Sequence, residues 1–300
     1  MHFLVTGGAG FIGSRVVRML LEQHHEVSII DNLYSGKLDN ILDFKNKIKF
    51  HNVDVRDYEK MKIIGSKCNG IFHFAALTNA IESFKKRDEY FDVNVKGTQN
   101  ILEIAKEFEL KVVFASSAAV YGDTTQIPIK EDSKRTPLNP YGQTKLECEY
   151  LCQKYYQMGI RINVLRFFNV YGKGQNPAYA GVISKFLENV SNRKAPIIYG
   201  DGTQTRDFVF VDDVVKANLL AMNNFSSGKM INIGTGIKTS IIELAETIIK
   251  ISKQNIKPIF VEAQEGDIKD SQADITIAQK LLKWNPQIKI EDWIKALQIN

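Results

Sequence analysis

The chain has 300 residues, of which 44% are hydrophobic and 24% are charged, so it can bury a large core in one or two domains. Its net charge of +5 comes from 39 basic and 34 acidic residues that are interspersed along the chain, which argues against a nucleic-acid-binding protein. The basic run Lys85-Lys86-Arg87 is followed at once by Asp88-Glu89, a pattern typical of a solvated face.

The cysteines do not suggest disulfides or a metal. Cys68, Cys148 and Cys152 form a sparse, odd set, which predicts a reducing compartment. Cys148 and Cys152 lie four residues apart, but no histidine or second cysteine pair is near them in sequence, so packing is favoured and no metal is predicted. No signal peptide or membrane-length apolar run is found, so the sequence predicts a cytoplasmic protein without membrane contact.

The first half of the chain alternates short apolar runs with longer helical patterns. Strands are predicted at residues 3–5, 27–30, 48–50, 71–74, 112–115 and 162–165, and helices at residues 12–23, 90–108 and 141–157. This alternation predicts an α/β fold of the Rossmann type, a doubly wound parallel sheet with helices on both faces. The nearly continuous apolar strands fit a sheet that is buried on both faces.

The pattern loosens after about residue 172. Loops rich in Gly, Asn, Pro and Gln lie at residues 172–177, 200–205 and 234–236, with helices predicted at residues 213–222 and 241–251. We therefore expect a Rossmann-type domain over residues 1–170 and a smaller mixed domain over residues 171–300, with chain crossovers between the two.

A glycine-rich turn follows the first predicted strand and opens the first predicted helix. Gly7, Gly8, Gly10 and Gly13 satisfy both G-x-G-x-x-G and G-x-x-G-x-x-G. Glycine keeps such a turn tight and lets a pyrophosphate reach backbone N–H groups at the helix start. A lone glycine triplet also fits a plain strand-to-helix turn, but Asp31 closes the second strand. Its carboxylate can accept both adenosine-ribose hydroxyls and would repel a 2′-phosphate, which favours NAD over NADP.

A second cluster combines a tyrosine, a lysine and a serine. Tyr141 and Lys145 are four residues apart in a predicted helix and therefore lie on one face. A nearby ammonium and the positive ring of NAD⁺ both favour the phenolate, and bringing a tyrosine pKa from about 10 to neutral pH takes roughly 4 kcal/mol. Tyr141 is then a general base toward a sugar or alcohol hydroxyl. Ser117 follows a strand at the sheet edge where ligands bind, so its hydroxyl can bridge substrate and Tyr141.

Together these stretches resemble the extended short-chain dehydrogenase/reductase family, in the nucleotide-sugar branch of NAD-dependent epimerases and dehydratases that includes the UDP-galactose 4-epimerases. The resemblance covers essentially the whole chain. The motifs that carry it are TGGAGFIG at 6–13, DNL at 31–33, FHFAA at 72–76, NVKGT at 94–98, SSAAVYG at 116–122, PYGQTK at 140–145, RFFNVYG at 166–172, GDGTQTRDFVFVDD at 200–213 and NIGTG at 232–236.

The resemblance implies tightly held NAD bound by residues 1–170 and a nucleoside-diphosphate sugar bound by residues 171–300. It places the catalytic residues at Ser117, Tyr141 and Lys145. It implies substrate contacts at Ser117, Tyr141, Asn169, Arg206 and Asp267. Cofactor contacts are expected at Gly7, Gly10, Phe11, Ile12, Asp31, Asn32, Asp54, Val55, Phe74, Ala75, Ala76, Lys86, Asn94, Ser116, Tyr141, Lys145 and Phe168. For Asp54, contact with the adenine amine and a simple turn role stay open. A homodimer through helices 90–108 and 141–157 is also implied.

Ala118 and Ala119 limit the chemistry. Dehydratases and decarboxylases of this family are similar but carry acidic residues after the hydroxyl residue, and the two alanines have no titratable atom. Reversible oxidation at C4 remains, which predicts 4-epimerisation of UDP-glucose and UDP-galactose through a transient 4-keto sugar. A UDP-glucuronate epimerase and a net NAD-dependent dehydrogenase or reductase are alternatives. A non-catalytic NAD-sensing or RNA-binding protein is disfavoured by the intact triad.

Two departures bear on the substrate. Gln264 stands where the family's epimerases usually have an arginine that grips the diphosphate, and the lost charge-assisted contact is worth about 1.5–3 kcal/mol. The nucleotide base is therefore left open. Ser271 stands where some glucose-only enzymes have a tyrosine, which predicts room for an N-acetyl group at C2.

Overall fold

The structure is a computed structural model, and it describes residues 1–175, 181–224, 226–263 and 268–297. Its strands are β1 (His2–Thr6), β2 (Glu26–Ile30), β3 (Lys49–His51), β4 (Gly70–His73), β5 (Lys111–Ser117), β6 (Ile162–Phe167), β7 (Asn169–Tyr171), β8 (Ile197–Tyr199), β9 (Thr205–Phe210), β10 (Lys229–Ile233), β11 (Lys238–Ser240) and β12 (Ile259–Val261). Its α-helices are α1 (Phe11–Glu22), α2 (Tyr58–Gly65), α3 (Ala80–Lys85), α4 (Arg87–Tyr90), α5 (Gly97–Glu107), α6 (Pro140–Gln157), α7 (Val182–Ser191), α8 (Val211–Asn223), α9 (Ile241–Ile251) and α10 (Ile290–Ala296).

A seven-stranded parallel sheet forms the centre of the fold. Its strand order is β3-β2-β1-β4-β5-β6-β10, so the chain reverses its direction of winding between β1 and β4. Thr6 of β1 pairs with Ile30 of β2 on one side and with His73 of β4 on the other, so the carboxyl ends of these strands are level. Ligands bind at such a reversal point in doubly wound folds. The predicted fold class is confirmed.

Helices cover both faces of this sheet. On one face, Val16 and Val17 of α1 join Val214 of α8 in a buried cluster. On the other face, Ile101 of α5 and Cys148 of α6 belong to a second cluster. All three cysteines are free and buried. Within the described residues, no group of three or more His, Cys, Asp and Glu side chains is placed to hold a metal. The same part of the chain contains no helix with the length and apolar character needed to cross a bilayer.

The later half of the chain contributes one strand to the central sheet and also forms two smaller sheets. β10 pairs with β6 and so completes the central sheet, although it lies beyond residue 170. The other late strands form a three-stranded sheet, β11-β9-β7, and a two-stranded sheet, β12-β8. Phe186, Phe208 and Leu244 pack in a separate cluster beside these small sheets. The domain division at residue 170 stays a prediction. The chain crosses back at β10, which belongs to the later half in sequence but to the central sheet in the structure.

The helix predicted at residues 90–108 is confirmed as a helical segment, but it is not α-helical throughout. The segment consists of α4, a π-helical stretch at Phe91–Lys96 and then α5. The widened turn carries Asn94, whose amide oxygen accepts from Leu77 N at 2.8 Å and whose amide nitrogen donates to Thr144 Oγ1 at 2.9 Å. A helical periodicity of apolar residues does not reveal such a turn, because the π segment shifts the pattern by only one residue.

A buried histidine at the end of β4 predicts that the protein becomes less stable at acidic pH. His73 is 1% exposed, with Nδ1 at 2.6 Å from Thr6 Oγ1 and Nε2 at 3.0 Å from Thr98 Oγ1. Burial, aided by Lys145, lowers the pKa of His73 to about 3. Between pH 6.5 and 3 the unfolded state therefore binds a proton that the folded state does not. The free energy of unfolding should fall with decreasing pH in that window, by up to about 1.4 kcal/mol per pH unit from this residue.

Urea unfolding of the wild type and of His73→Asn at several pH values between 7 and 5 measures this slope. Asparagine keeps hydrogen-bonding atoms but cannot take up the proton, so the variant should show a shallower dependence on pH. Equal slopes in the two proteins would show that His73 does not govern acid stability.

Candidate active site

A cleft of about 450 Å³ opens at the carboxyl edge of the central sheet. It extends from the glycine turn after β1 past the ends of β4 and β5 to the segment that follows β6. The predicted site residues that line it are Gly7, Gly10, Phe11, Ile12, Asp31, Asn32, Val55, Phe74, Ala75, Ala76, Ser116, Ser117, Tyr141, Lys145, Phe168 and Asn169. Two regions of the chain that are far apart in sequence thus face one space.

The glycine turn leaves room for a phosphate at the start of α1. Gly7 has a φ of +68° and its carbonyl oxygen accepts from Gly10 N at 3.0 Å. A Cβ on Gly13 would lie 2.2 Å from Gly7 O, so the turn closes only without a side chain there. A Cβ on Gly10 would contact Gly7 O at 3.1 Å and otherwise project toward the cleft. This cradle and the free N–H groups of a helix start fit the pyrophosphate of a dinucleotide.

Asp31 lies at the end of β2 with its carboxylate held by the backbone. Its oxygens accept from Ala9 N at 2.9 Å and from Leu33 N at 2.8 Å. Burial raises the pKa of Asp31, and these two hydrogen bonds oppose that rise. A carboxylate fixed in this way at the cleft wall can accept ribose hydroxyls, since each oxygen has a second lone pair.

Removing this charge should weaken the preference for a cofactor without a 2′-phosphate. We expect Asp31→Asn to bind NAD about 10- to 100-fold more weakly, the loss of one or two charge-assisted hydrogen bonds. The ratio of NADP to NAD affinity should rise at the same time, because repulsion of the 2′-phosphate is removed. Calorimetric titration of the cofactor-free protein with both dinucleotides measures this, and an unchanged ratio would remove Asp31 from cofactor selection.

The catalytic candidates converge where α6 begins beside the end of β5. Asn139 caps α6 by accepting from Gly142 N at 2.8 Å, which places Tyr141 in the first turn. Ser117, at the end of β5, lies beside the Tyr141 phenol and acts to lower its pKa. Lys145, one turn later and 4% exposed, donates from Nζ to Ala115 O at 2.8 Å. A hydroxyl, a phenol and an ammonium thus meet at one wall of the cleft.

The lowered Tyr141 pKa, predicted from Lys145 and the NAD⁺ ring together, is not present in the chain by itself. Burial raises the pKa of Tyr141 and outweighs the opposing hydrogen bond from Ser117. Burial also lowers the pKa of Lys145, whose ammonium is directed to the Ala115 carbonyl. The positive ring of NAD⁺ is the other charge expected to favour the phenolate. We therefore expect Tyr141 to ionise only when that ring is bound beside it, because the lysine alone does not lower its pKa enough.

Several predicted contacts lie outside the cleft lining. Asp54 binds the Arg56 guanidinium at 2.8 Å and accepts from Asn32 Nδ2 at 2.9 Å. The Arg56 hydrogen bond, as the largest cause, lowers the pKa of Asp54 to about 2. The structure thus gives Asp54 partners typical of a turn residue, and its adenine contact stays a prediction. Asn94 is 2% exposed and engaged with Leu77, behind the cleft wall.

Lys86, Arg206 and Asp267 were expected at the site on the basis of resemblance. The Lys86 ammonium lies 2.9 Å from Glu82 Oε1 and donates to the Tyr34 hydroxyl at 3.0 Å, outside the cleft lining. Arg206 donates from Nη1 to Thr205 O at 2.7 Å and to Ile268 O at 2.6 Å. Asp267 lies outside the described residues, as does Gln264. The roles of these residues stay predictions.

Sequence reasoning missed several residues of the cleft wall. Tyr34, Lys37 and Asn40 follow β2, and Leu77 and Thr78 follow β4. All five continue a loop that begins at the carboxyl end of a predicted strand. Because such loops form the binding edge of a doubly wound sheet, extending each motif by a few residues could have found them.

Known proteins resemble this chain along nearly its whole length. The family model described as NAD dependent epimerase/dehydratase family matches residues 3–234. The chain is 41% identical to a putative UDP-glucose 4-epimerase of Methanocaldococcus jannaschii, over 98% of this chain and 96% of the relative.

Two solved structures are also similar. The UDP-glucose 4-epimerase of Thermotoga maritima with UDP-glucose has a TM-score of 0.94 and 35% identity, covering 98% of this chain and 96% of the other. The UDP-N-acetylglucosamine 4-epimerase of Methanobrevibacter ruminantium in complex with UDP-N-acetylmuramic acid has a TM-score of 0.93 and 33% identity, covering 99% and 96%. With the glycine cradle and the parallel sheet, these matches show that the chain belongs to the NAD-dependent epimerase/dehydratase family, whose cofactor is NAD.

Proposed function

We propose that the chain interconverts UDP-glucose and UDP-galactose as a 4-epimerase. One observation carries the proposal: Tyr141, Lys145 and Ser117 line the same cleft as the glycine cradle. Ala118 and Ala119 form the short 3-10 turn that follows Ser117, and neither brings an acid or base to the site. The names of the relatives support the same reaction class.

The chain's own groups account for the proton in this reaction. NAD, held by the glycine cradle and Asp31, would supply the acceptor and donor for the C4 hydride. The Tyr141 oxygen takes the proton of the C4 hydroxyl as hydride leaves and gives it back when the alcohol forms again. Ser117 holds the sugar hydroxyl and the phenol in one hydrogen-bonded line. Lys145 fixes α6 against β5 through Ala115 and contributes positive charge beside the phenol.

Inversion requires that the hydride return to the opposite face of C4. The 4-keto sugar must therefore turn about its diphosphate linkage while the nucleotide stays bound. Asn169 lines the cleft next to Phe168, which supports our proposal that it holds that diphosphate. We propose the same role for Arg206, a β9 residue whose guanidinium donates to the Thr205 and Ile268 carbonyls. For Asp267 we propose a contact with the substrate.

N-acetylated sugars are the second candidate substrates, favoured by the name of the Methanobrevibacter neighbour. Ser271 is 6% exposed and its backbone N donates to Thr205 Oγ1 at 3.4 Å. It is not among the cleft-lining residues of the described chain, so its small side chain supports this proposal only through the family resemblance.

A direct assay tests the proposal. The purified protein is incubated with UDP-glucose, UDP-galactose, UDP-N-acetylglucosamine and UDP-glucuronate without added NAD, and products are identified by NMR. We expect the glucose and galactose forms to interconvert with no net reduction of the cofactor. Stoichiometric accumulation of NADH would indicate a dehydrogenase, and turnover of UDP-glucuronate alone would indicate a uronate epimerase.

We also propose a homodimer. Ile81 and Phe84 of α3 are 68% and 64% exposed, and Tyr150 on α6 is 44% exposed. Apolar side chains on neighbouring helices of this kind are typical of a surface that a partner covers. A monomeric mass by light scattering would contradict the dimer.

A further inference from the structure

A buried carboxylate beside the candidate site has no part in the proton transfer described above. The side chain of Glu149 on α6 has 0% exposure. Its Oε1 accepts from Ser116 Oγ at 2.6 Å and from Arg166 Nε at 2.8 Å, and its Oε2 accepts from Arg166 Nη2 at 2.7 Å. Three donors from two strands therefore converge on one helix side chain.

These donors are neighbours in the sheet. Ser116 of β5 pairs in register with Arg166 of β6, and the next pair along is Ser117 with Phe167. Glu149 therefore binds both strands one residue before Ser117. With the Lys145 bond to Ala115 O one turn earlier, it makes a second attachment of the helix that carries Tyr141.

The Arg166 guanidinium extends this attachment beyond the helix. Its Nη1 donates to the Tyr121 hydroxyl at 2.7 Å, and that hydroxyl donates to Asn232 Oδ1 at 2.6 Å. Every step is between buried groups. A buried ion pair adds little net stability compared with a well-packed apolar pair, because its desolvation offsets its attraction. Fixed geometry is the property that such a network supplies and an apolar pair does not.

Glu149 also acts on the charge of Lys145. The groups that act on this ammonium are Cys148, Cys152 and Glu149 from α6, His73 from β4, and the Phe114 ring from β5. Burial lowers the pKa of Lys145, whereas the Cys148 and Cys152 thiols and the Glu149 carboxylate raise it. The two thiols are neutral at physiological pH because burial raises their pKa, and His73 is uncharged there. Glu149 is then the anion among these groups.

We propose that Glu149 is a positioning residue for the epimerase reaction: it holds Ser116, and through it Ser117, against the helix that carries Tyr141, and it lies one helical turn from Lys145 on the same face of α6. This inference rests on the proposed function. Glu149 does not touch the reacting atoms, so its effect is on kcat and on the pH profile rather than on substrate binding.

The variants Glu149→Gln and Ser116→Ala separate the effect of Glu149 on the position of Ser117 from its effect on the charge of Lys145. Glu149→Gln removes the charge, and kcat should fall by up to roughly 100-fold, the effect expected from sub-ångström to 1 Å misplacement. In this variant, the decline of kcat at alkaline pH should begin at a lower pH than in wild type, because Lys145 loses its proton more readily. Ser116→Ala removes one hydrogen bond and no charge, so it should lower kcat without moving that limb, with KM within about threefold of wild type. It also keeps the test valid if the buried Arg166 prevents Glu149→Gln from folding.

The double variant and a control complete the kinetic test. If Ser116 acts through Glu149, the double variant should have the same kcat as Glu149→Gln, not the product of the two losses. Tyr155 lies on the same helix as Glu149 but further from the site. Tyr155→Phe removes the hydrogen bond that its hydroxyl donates to Glu103. It should lower thermal stability and leave kcat and the pH profile unchanged. Additive losses, or a pH profile in Glu149→Gln like that of wild type, would overturn the proposal.

A measurement without turnover keeps this inference distinct from the proposed function. NMR titration of ¹³Cε-labelled lysines, with the Lys145 signal assigned from Lys145→Met, reports the ammonium directly. We expect its titration at lower pH in Glu149→Gln than in wild type. If wild type had no epimerase activity, the proposed function would fail, while an unshifted Lys145 titration would count against Glu149 alone.

Discussion

Replacing Tyr141 with phenylalanine is expected to lower kcat by a factor of about 10² to 10⁴ while NAD stays bound. The phenol oxygen is the one side-chain atom assigned to take the C4 proton, and Ser117 has no base of its own. The ring itself is preserved, so the wall of the cleft that Tyr141 forms keeps its shape. Initial rates with UDP-galactose and the amount of NAD released on denaturation measure the two parts of this prediction.

Tyr150→Phe is the matched control on the same helix. Its ring is 44% exposed and stacks under the Arg135 guanidinium at 5.3 Å, away from the cleft lining. We expect this control to retain wild-type kcat. A Tyr141→Phe enzyme with near-wild-type kcat would instead require another general base and would remove the central assignment.

The positions of the catalytic candidates could be predicted because each follows a local rule. Tyr141 and Lys145 share a helix face through their spacing, and Ser117 follows the last residues of an apolar strand. The strand end at Ser117 is visible in the sequence for the same reason. Parallel strands bring such ends to one edge of the sheet, so their proximity in space did not need a structure.

Features that depend on distant pairs were not predictable in this way. The bond between Glu149 and Arg166 joins residues 17 apart, and either residue alone reads as an exposed charge. Position-by-position transfer also missed Thr78, which lines the cleft, and the Lys86 contact that it implies stays a prediction because Lys86 lies outside the lining. The intervening turns and the π-helical stretch after α4 change which side chains face the cleft, and no local pattern records that change.

The direction of the Tyr141 pKa shift was also not predictable from local sequence patterns. Spacing identifies the neighbouring lysine, but burial is a property of the whole packed cleft, and burial raises the pKa of this phenol. Only a structure shows that the lysine ammonium is already bound to a backbone carbonyl.

Substitution of Gly13 by alanine is expected to abolish retention of NAD and to lower the free energy of unfolding by about 1–3 kcal/mol. The new Cβ would lie 2.2 Å from Gly7 O and 2.9 Å from Gly7 C, both backbone atoms that no side-chain rotation can move. The turn must therefore open, which disturbs both the cradle and the packing of α1 on the sheet. Thermal unfolding of the cofactor-free protein and the NAD content of purified protein measure the two losses.

Gly10→Ala separates binding from folding in the same turn. Gly10 has a φ of −80°, which alanine adopts without strain, and its added Cβ would contact only Gly7 O, at 3.1 Å, among described atoms. Its stability should stay within about 1 kcal/mol of wild type, since the backbone conformation suits both residues. NAD content should nevertheless fall, because the methyl group projects into the space where a pyrophosphate approaches the helix start. Normal NAD content in both variants would show that the cofactor's phosphates bind elsewhere than at this turn.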